Sequence, residues 1–263
     1  MHLIVASRDD EASTSMAEYF IENGPFREFS GDIYKSGDKV LAFIGKKHLY
    51  WEGPEELEKN SGMSFSDIIF LSRHSSAADI KSVTTHPTGN FRNSADLGGE
   101  PRRISTSYPE MMTAYLRYLK TRIEIPGVEV TFEATHHGPL IDIPNFYFEI
   151  GTTREQWKDT EILEACLDTV KKVSPGKGDN FVGVGGGHYM TKVTEYAVNN
   201  EVNIGHMISK HSLTEIDHEM VRMAIEKTPE CRGFIVDRKG VKSNAKSIID
   251  SIVDSDSLEK IVV

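Results

Sequence analysis

FVGVGGGHYMTKVTEYAVNNEVNIGHMISKH, residues 181–211, decides the fold. Phe181 to Val184 is a short apolar run of buried-strand type, and Gly185, Gly186 and Gly187 then turn the chain. His188 to Val198 reads as a helix and Val202 to Met207 as the next strand. The same alternation continues downstream, with a helix at Thr214 to Lys227, a strand at Gly233 to Asp237 and a helix at Asn244 to Ile252. Upstream lie strands at Val128 to Ala134 and Phe146 to Ile150. One long helix is predicted over Thr153 to Val173, its stripe running Leu163, Cys166, Leu167, Val170 and Val173. Strand and helix in turn, several times over, predict an α/β fold. Its central sheet is mostly parallel, with helices on both faces.

The first half is less regular. His2 to Ser7 reads as a strand and Asp9 to Ile21 as a helix. Residues 27–50 are β-rich, with Val40 to Ile44 the clearest strand, and Asp67 to Ser72 is another buried strand. Residues 81–108, rich in Gly, Pro, Ser and Thr, read as a long functional loop walling an active site. Tyr108 to Ile123 is helical, with Met112, Tyr115, Leu119 and Ile123 on one face. The whole, residues 1–263, is expected to be a single α/β domain with a β-rich insertion.

Composition narrows the function. The 263 residues carry 30 Lys and Arg against 40 Asp and Glu, a formal charge of -10, so global attraction to DNA or RNA is not predicted. Phosphate contacts would need a confined basic patch. Cys166 and Cys231 are the only cysteines, which excludes a disulfide-dense scaffold and any multi-cysteine zinc module. No run of eighteen apolar residues suggests a membrane span, and the N-terminus lacks a basic leader. A cytoplasmic enzyme or binding protein is the expectation.

Ten histidines are present, and several fall where strands give way to loops, the edge at which open α/β sheets bind ligands. His74 lies in SRHSS (72–76), His136 and His137 in THHGP (135–139), His188 in GGGHY (185–189), and His206 and His211 in GHMISKH (205–211). Imidazole is the commonest nitrogen ligand of zinc, and three or four such ligands with an open position make a catalytic site. No HExxH is present, so any ligands come from separate strand ends. Glu133, Asp142 and Glu149 are the carboxylates that could complete the set, with Asp142 following THHGP most closely. His86, in HPTGN, either lines the site or makes a turn. His2, His48 and His218 gain nothing from this argument.

The turn at Gly185, Gly186 and Gly187 can expose N–H groups to an oxyanion or a phosphate at the start of the following helix. It lacks both the GxGxxG spacing and a following GK[ST]. Arg102 and Arg103 stand in a locally basic stretch, residues 100–122, and Lys210 lies in the GHMISKH segment. An ordinary solvated face explains such charges equally well.

SRHSS, THHGP, GGGHY and GHMISKH, with HLIVASRDDEAS at the start and FEIGTTREQW at 148–157, resemble the archaeal and plant type of D-aminoacyl-tRNA deacylase. The resemblance covers nearly the whole chain. It implies a fold similar to peptidyl-tRNA hydrolases and phosphorylase-like α/β proteins. It implies a monomeric hydrolase with two zinc ions per subunit that cleaves the ester between a D-amino acid and tRNA, D-tyrosine among others. On that basis His188, His137, His74 and Asp142 are the candidate catalytic groups. His74, His136, His137, His188, His206, His211 and Glu149 are the candidate zinc ligands. Gly185, Gly186 and Gly187 are candidates for the oxyanion or a phosphate, and Arg102, Arg103 and Lys210 for tRNA. The alternative is a zinc-dependent amidohydrolase or peptidase acting on a small molecule, which suits the acidic charge without a basic rim. A nucleoside phosphorylase and a non-catalytic RNA-binding protein are further rivals.

Overall fold

In a computed structural model, which describes residues 1–75 and 80–263, the opening apolar run forms β1 (His2–Ser7). Ser76, the last residue of SRHSS, lies outside the described residues. Asp10 caps α1 (Glu11–Asn23) by accepting from the Ser13 N–H. The β-rich stretch then supplies β2 (Arg27–Ser30), β3 (Ile33–Ser36) and β4 (Lys39–Ile44). After α2 (Glu55–Ser61), the run DIIFLSR forms β5 (Asp67–Arg73).

The expectation of one irregular loop at residues 81–108 needs correction. SVTTH, a β-branched run, forms a fully buried strand, β6 (Ser82–His86), and the short pair β7 (Gly89–Asn90) and β8 (Arg103–Ile104) follows. The Gly- and Pro-rich composition around it hides a strand of only five residues. Next come α3 (Pro109–Arg122), β9 (Glu129–Phe132) and β10 (Asn145–Gly151). The single helix expected over Thr153 to Val173 is two, α4 (Arg154–Trp157) and α5 (Thr160–Lys172). They break at Asp159, whose carboxylate caps α5 through the Glu161 and Ile162 N–H groups. The chain finishes with β11 (Asp179–Val184), α6 (Thr191–Asn199), β12 (Val202–Ile208), α7 (His218–Glu226), β13 (Cys231–Val236), α8 (Ser243–Asp256) and β14 (Glu259–Val262).

The strands divide between two sheets. Eight lie in the order β2-β3-β4-β1-β5-β10-β6-β9, with β4, β1, β5 and β10 mutually parallel. β6 runs antiparallel to β10, and β9 parallel to β6. The other sheet, β12-β11-β13-β14, is wholly parallel. One apolar core joins them: Met112, Tyr115, Leu116 and Leu119 of α3 pack with Phe146 and Phe148 of β10 and with Phe181, Ile204 and Met207 of the smaller sheet. The Thr113 hydroxyl accepts from the buried Ile204 N–H at 2.9 Å, fixing α3 to β12. Because β6 and β9 run opposite to β5 and β10, the C-terminal ends of β5 and β9 point in opposite directions within that sheet.

Candidate metal centre

The strand ends deliver the histidines. His74 follows β5, and the close approach of Gly151 at the end of β10 makes room for it; a Cβ on Gly151 would lie 2.5 Å from the His74 Cβ. His86 ends β6. Beyond β9 the chain runs alongside the segment after His86, through a bridge between Thr88 and His136 and a bond from the Gly89 N–H to the His137 carbonyl at 2.7 Å. His137 holds a left-handed backbone, φ 45°, uncommon outside glycine. His188 follows β11 and is joined to the same segment by the Ala134 N–H, which bonds its carbonyl at 2.9 Å. Five imidazoles thereby meet around two carboxylates, Glu133 just after β9 and Glu149 within β10.

Three of the rings are pre-set as ligands. His86 Nδ1 lies 3.1 Å from the Pro87 carbonyl, His136 Nδ1 2.8 Å from that of Ala134, and His137 Nδ1 2.7 Å from that of Gly138. A carbonyl only accepts, so each Nδ1 carries a proton, which leaves Nε2 as the atom of each ring that can face a metal. One donor atom from each of His86, His136 and His137 lies within 4.8 Å of the others, and the buried His86 Nε2 has no hydrogen-bond partner. A second group consists of His74, Glu133 and His188, and a third of His86, Glu133 and Glu149, on the same distance criterion. His74 Nδ1 is 2.8 Å from Glu133 Oε1 and 3.6 Å from Glu149 Oε2, and His188 Nε2 is 2.8 Å from Glu133 Oε2. Neither buried Glu133 oxygen makes a hydrogen bond of proper geometry despite these approaches.

Charge follows from this packing. Burial and the positive charge of the neighbouring His86 hold His136 well below the ordinary imidazole range. Burial and the His86 charge push His137 down to about 4, so both rings are neutral at pH 7. Burial works against charge on His74, but Glu133 and Glu149 overcome it and push that ring up to about 11. His86 is raised in the same way, chiefly by Glu149. Burial disfavours the two carboxylates as well, yet His188 and His74 hold Glu133 well below the carboxylate range, and His74 and His86 lower Glu149. Two buried negative charges demand positive partners. Mixed imidazole and carboxylate donors, tautomers fixed by main-chain carbonyls, and orphaned inward-facing donor atoms fit a divalent transition metal.

The cluster floors a cleft of about 430 Å³, within the range of small-molecule sites. His74, His136, His137, His188 and Glu149 line it with Tyr147, while Asp9, Lys47, Arg73 and Leu97 add rim residues. Tyr147 stacks on His86 at 5.1 Å. His188 is the most exposed ring of the five and stands at the opening. Buried His48 also lines the cleft, pushed down to about 4 by burial.

Several residues singled out in the sequence lie elsewhere. Asp142 is exposed and pairs with Lys227 at 2.6 Å; the IDIP segment turns its carboxylate away from the cleft. His206 is buried but engaged, Nε2 with the Ser105 carbonyl at 2.8 Å and Nδ1 with the Thr135 hydroxyl at 3.1 Å, because a strand interior faces the core. His211 is exposed in the turn leading into the 3-10 helix Ser212–Thr214. Gly185 packs against Asp237 and Gly186 against Gly240, and α6 begins only at Thr191, so the glycine turn does not itself open that helix. Arg102 pairs with Asp217 at 2.6 Å, Arg103 lies on β8, and neither lines the cleft. Sequence reasoning left His86 open and gave Glu133 no fixed role. The signal for His86 was the β-branched VTTH run, which places it at a strand end, and Glu133 follows the strand β9 directly.

An α/β fold whose strand ends gather imidazoles and buried carboxylates at a cleft defines the class: a protein built around a candidate metal-dependent active site. Comparison with known proteins specifies the family. The model of the D-aminoacyl-tRNA deacylase family matches residues 61–261. Relatives named D-aminoacyl-tRNA deacylase from Thermoplasma acidophilum and Thermoplasma volcanium are 46% and 43% identical, each comparison covering 100% of both chains. A crystal structure of a conserved protein of unknown function is 30% identical, with a TM-score of 0.89 over 100% of this chain and 95% of the other. The chain belongs to the D-aminoacyl-tRNA deacylase family. No helix among the described residues is long and apolar enough to cross a membrane.

Proposed function

We propose that this protein hydrolyses the ester joining a D-amino acid to tRNA, with D-tyrosyl-tRNA among its substrates, and releases free tRNA and the D-amino acid. The observation that carries the reading is the set of carbonyl-fixed imidazoles converging on buried carboxylates at the cleft floor, in a chain of this family. His86, His136 and His137 would hold one zinc ion, and His74, Glu133 and His188 a second, with Glu149 balancing their charge. Bound zinc supplies a Lewis acid and lowers the pKa of water toward neutrality.

The chain's own residues do the rest. The carbonyls of Pro87, Ala134 and Gly138 keep three rings oriented, so ligand geometry needs no reorganisation during turnover. The cleft walls confine the ester beside them, and an aminoacyl ester is labile enough for orientation and modest activation to suffice. A tRNA substrate would place the protein in the cytoplasm, and we propose that it acts as a monomer.

Incubation with D-tyrosyl-tRNA and L-tyrosyl-tRNA, with and without chelator, tests the reading alongside a zinc determination per chain. The expected result is hydrolysis of the D form only, lost on chelation and restored by zinc, at about two zinc ions per chain. Stoichiometric zinc with both esters intact would overturn the tRNA assignment and turn attention to small amides.

A further inference from the structure

Beside the imidazole cleft lies a second hollow, of about 250 Å³, at the C-terminal ends of β11, β12 and β13. We propose that it binds the phosphodiester backbone at the 3′ end of the tRNA; this rests on the deacylase reading for the identity of its ligand. Its floor is three turns locked together. The Lys210 N–H bonds the Gly186 carbonyl at 3.0 Å, and the Gly240 N–H bonds the Asp237 carbonyl at 3.0 Å. Gly240 packs so closely that a Cβ there would lie 2.4 Å from the Gly186 nitrogen. The turns are therefore fixed before any ligand arrives.

Three lysines line the hollow: Lys192 in the first turn of α6, Lys210 after β12 and Lys239 after β13. Lys192 pairs with Glu195 at 2.7 Å. Lys210 and Lys239 are exposed and have no carboxylate within 4.0 Å among the described residues. Asp237 is the acid in the hollow, and its Oδ1 accepts the Lys239 N–H at 3.0 Å. In a protein of formal charge -10, the two unpaired lysines, Lys210 and Lys239, beside Lys192 and against the single acid Asp237, make this rigid hollow a local positive site suited to a polyanion.

Position identifies the anion. Tyr189 lines the hollow, and its hydroxyl lies 2.8 Å from His74 Nε2 in the cleft. A substrate whose ester lies among the imidazoles extends its sugar-phosphate chain past Tyr189 into the lysines. The hollow is smaller than the ~300–1,000 Å³ of sites that enclose a small molecule, which suits a backbone segment resting across it. Arg102, committed to Asp217, is not free to do the same work.

The test is the salt dependence of binding of deacylated tRNA to the zinc-loaded, full-length protein and to the double variant Lys210→Ala, Lys239→Ala. The slope of log K against log salt should become less steep by about 0.7 for each single-strand phosphate contact removed, about 1.4 in all. Lys239→Glu should weaken binding further than Lys239→Ala. Unchanged slope and affinity in the double variant, with wild type cleaving D-tyrosyl-tRNA normally, would overturn the hollow and leave the deacylase reading intact. A reduced slope in a protein that cleaves neither ester would support the hollow and sink the deacylase reading instead.

Discussion

His206 offers a metal no lone pair. Its Nε2 faces the Ser105 carbonyl at 2.8 Å, so that nitrogen carries the proton, and Nδ1 accepts from the Thr135 hydroxyl at 3.1 Å. The Thr135 oxygen in turn accepts the Met207 N–H at 2.9 Å, so β12 grips the residue immediately before His136 and His137. Burial pushes His206 down to about 4. The unfolded chain protonates this ring below pH ~6.5, while the folded protein refuses the proton until about 4. His206 therefore contributes stability that is present above pH ~6.5 and lost as pH falls toward 4. Denaturation of His206→Gln against wild type should show two things. The variant is less stable at pH 7 by about 1–3 kcal/mol, from lost buried hydrogen bonds. The gap narrows on acidification through that window, and a constant gap would place the ring's titration elsewhere.

At the scale of elements, the centre is an accident of strand order as much as of residue type. β6 enters the eight-stranded sheet antiparallel to β10, which puts His86 opposite Tyr147 and Thr84 opposite Glu149. β10 pairs with β5 on its other side, setting Glu149 against Ser72 just before His74. One glycine keeps these edges together. A Cβ at position 151 would fall 2.5 Å from the His74 Cβ, an overlap that neither backbone can relieve by a rotamer change. Gly151→Ala should destabilise the protein by about 1–3 kcal/mol and displace His74. Chelator competition should then show zinc held at least tenfold more weakly, since misplaced supporting groups cost 10–100-fold in metal affinity. Wild-type affinity in the variant would mean that His74 is not a ligand.

For the whole molecule, two sheets share one core, and the candidate centre draws residues from both, His188 from the smaller and the rest from the larger. A metal there ties the halves together, so removing it should cost global stability. Thermal melts with and without chelator should differ, and stability should rise with free zinc as ligand linkage requires, by about 2.7 kcal/mol at a concentration one hundred times Kd. A melting temperature indifferent to zinc would argue against the centre. The α/β alternation, most strand ends and the histidine motifs at those ends were legible in the residues alone, because hydrophobic period and glycine turns are local signals. The sequence also carried the family, through four ordered motifs. It did not reveal that β6 hides in the Gly- and Pro-rich stretch, that Asp159 breaks a helix in two, or that His206 and His211 miss the cluster while His86 and Glu133 complete it. Those outcomes depend on which strands pair and which face each residue turns inward. Contacts between residues such as His86 and His136, fifty positions apart, exist only once the sheet has formed.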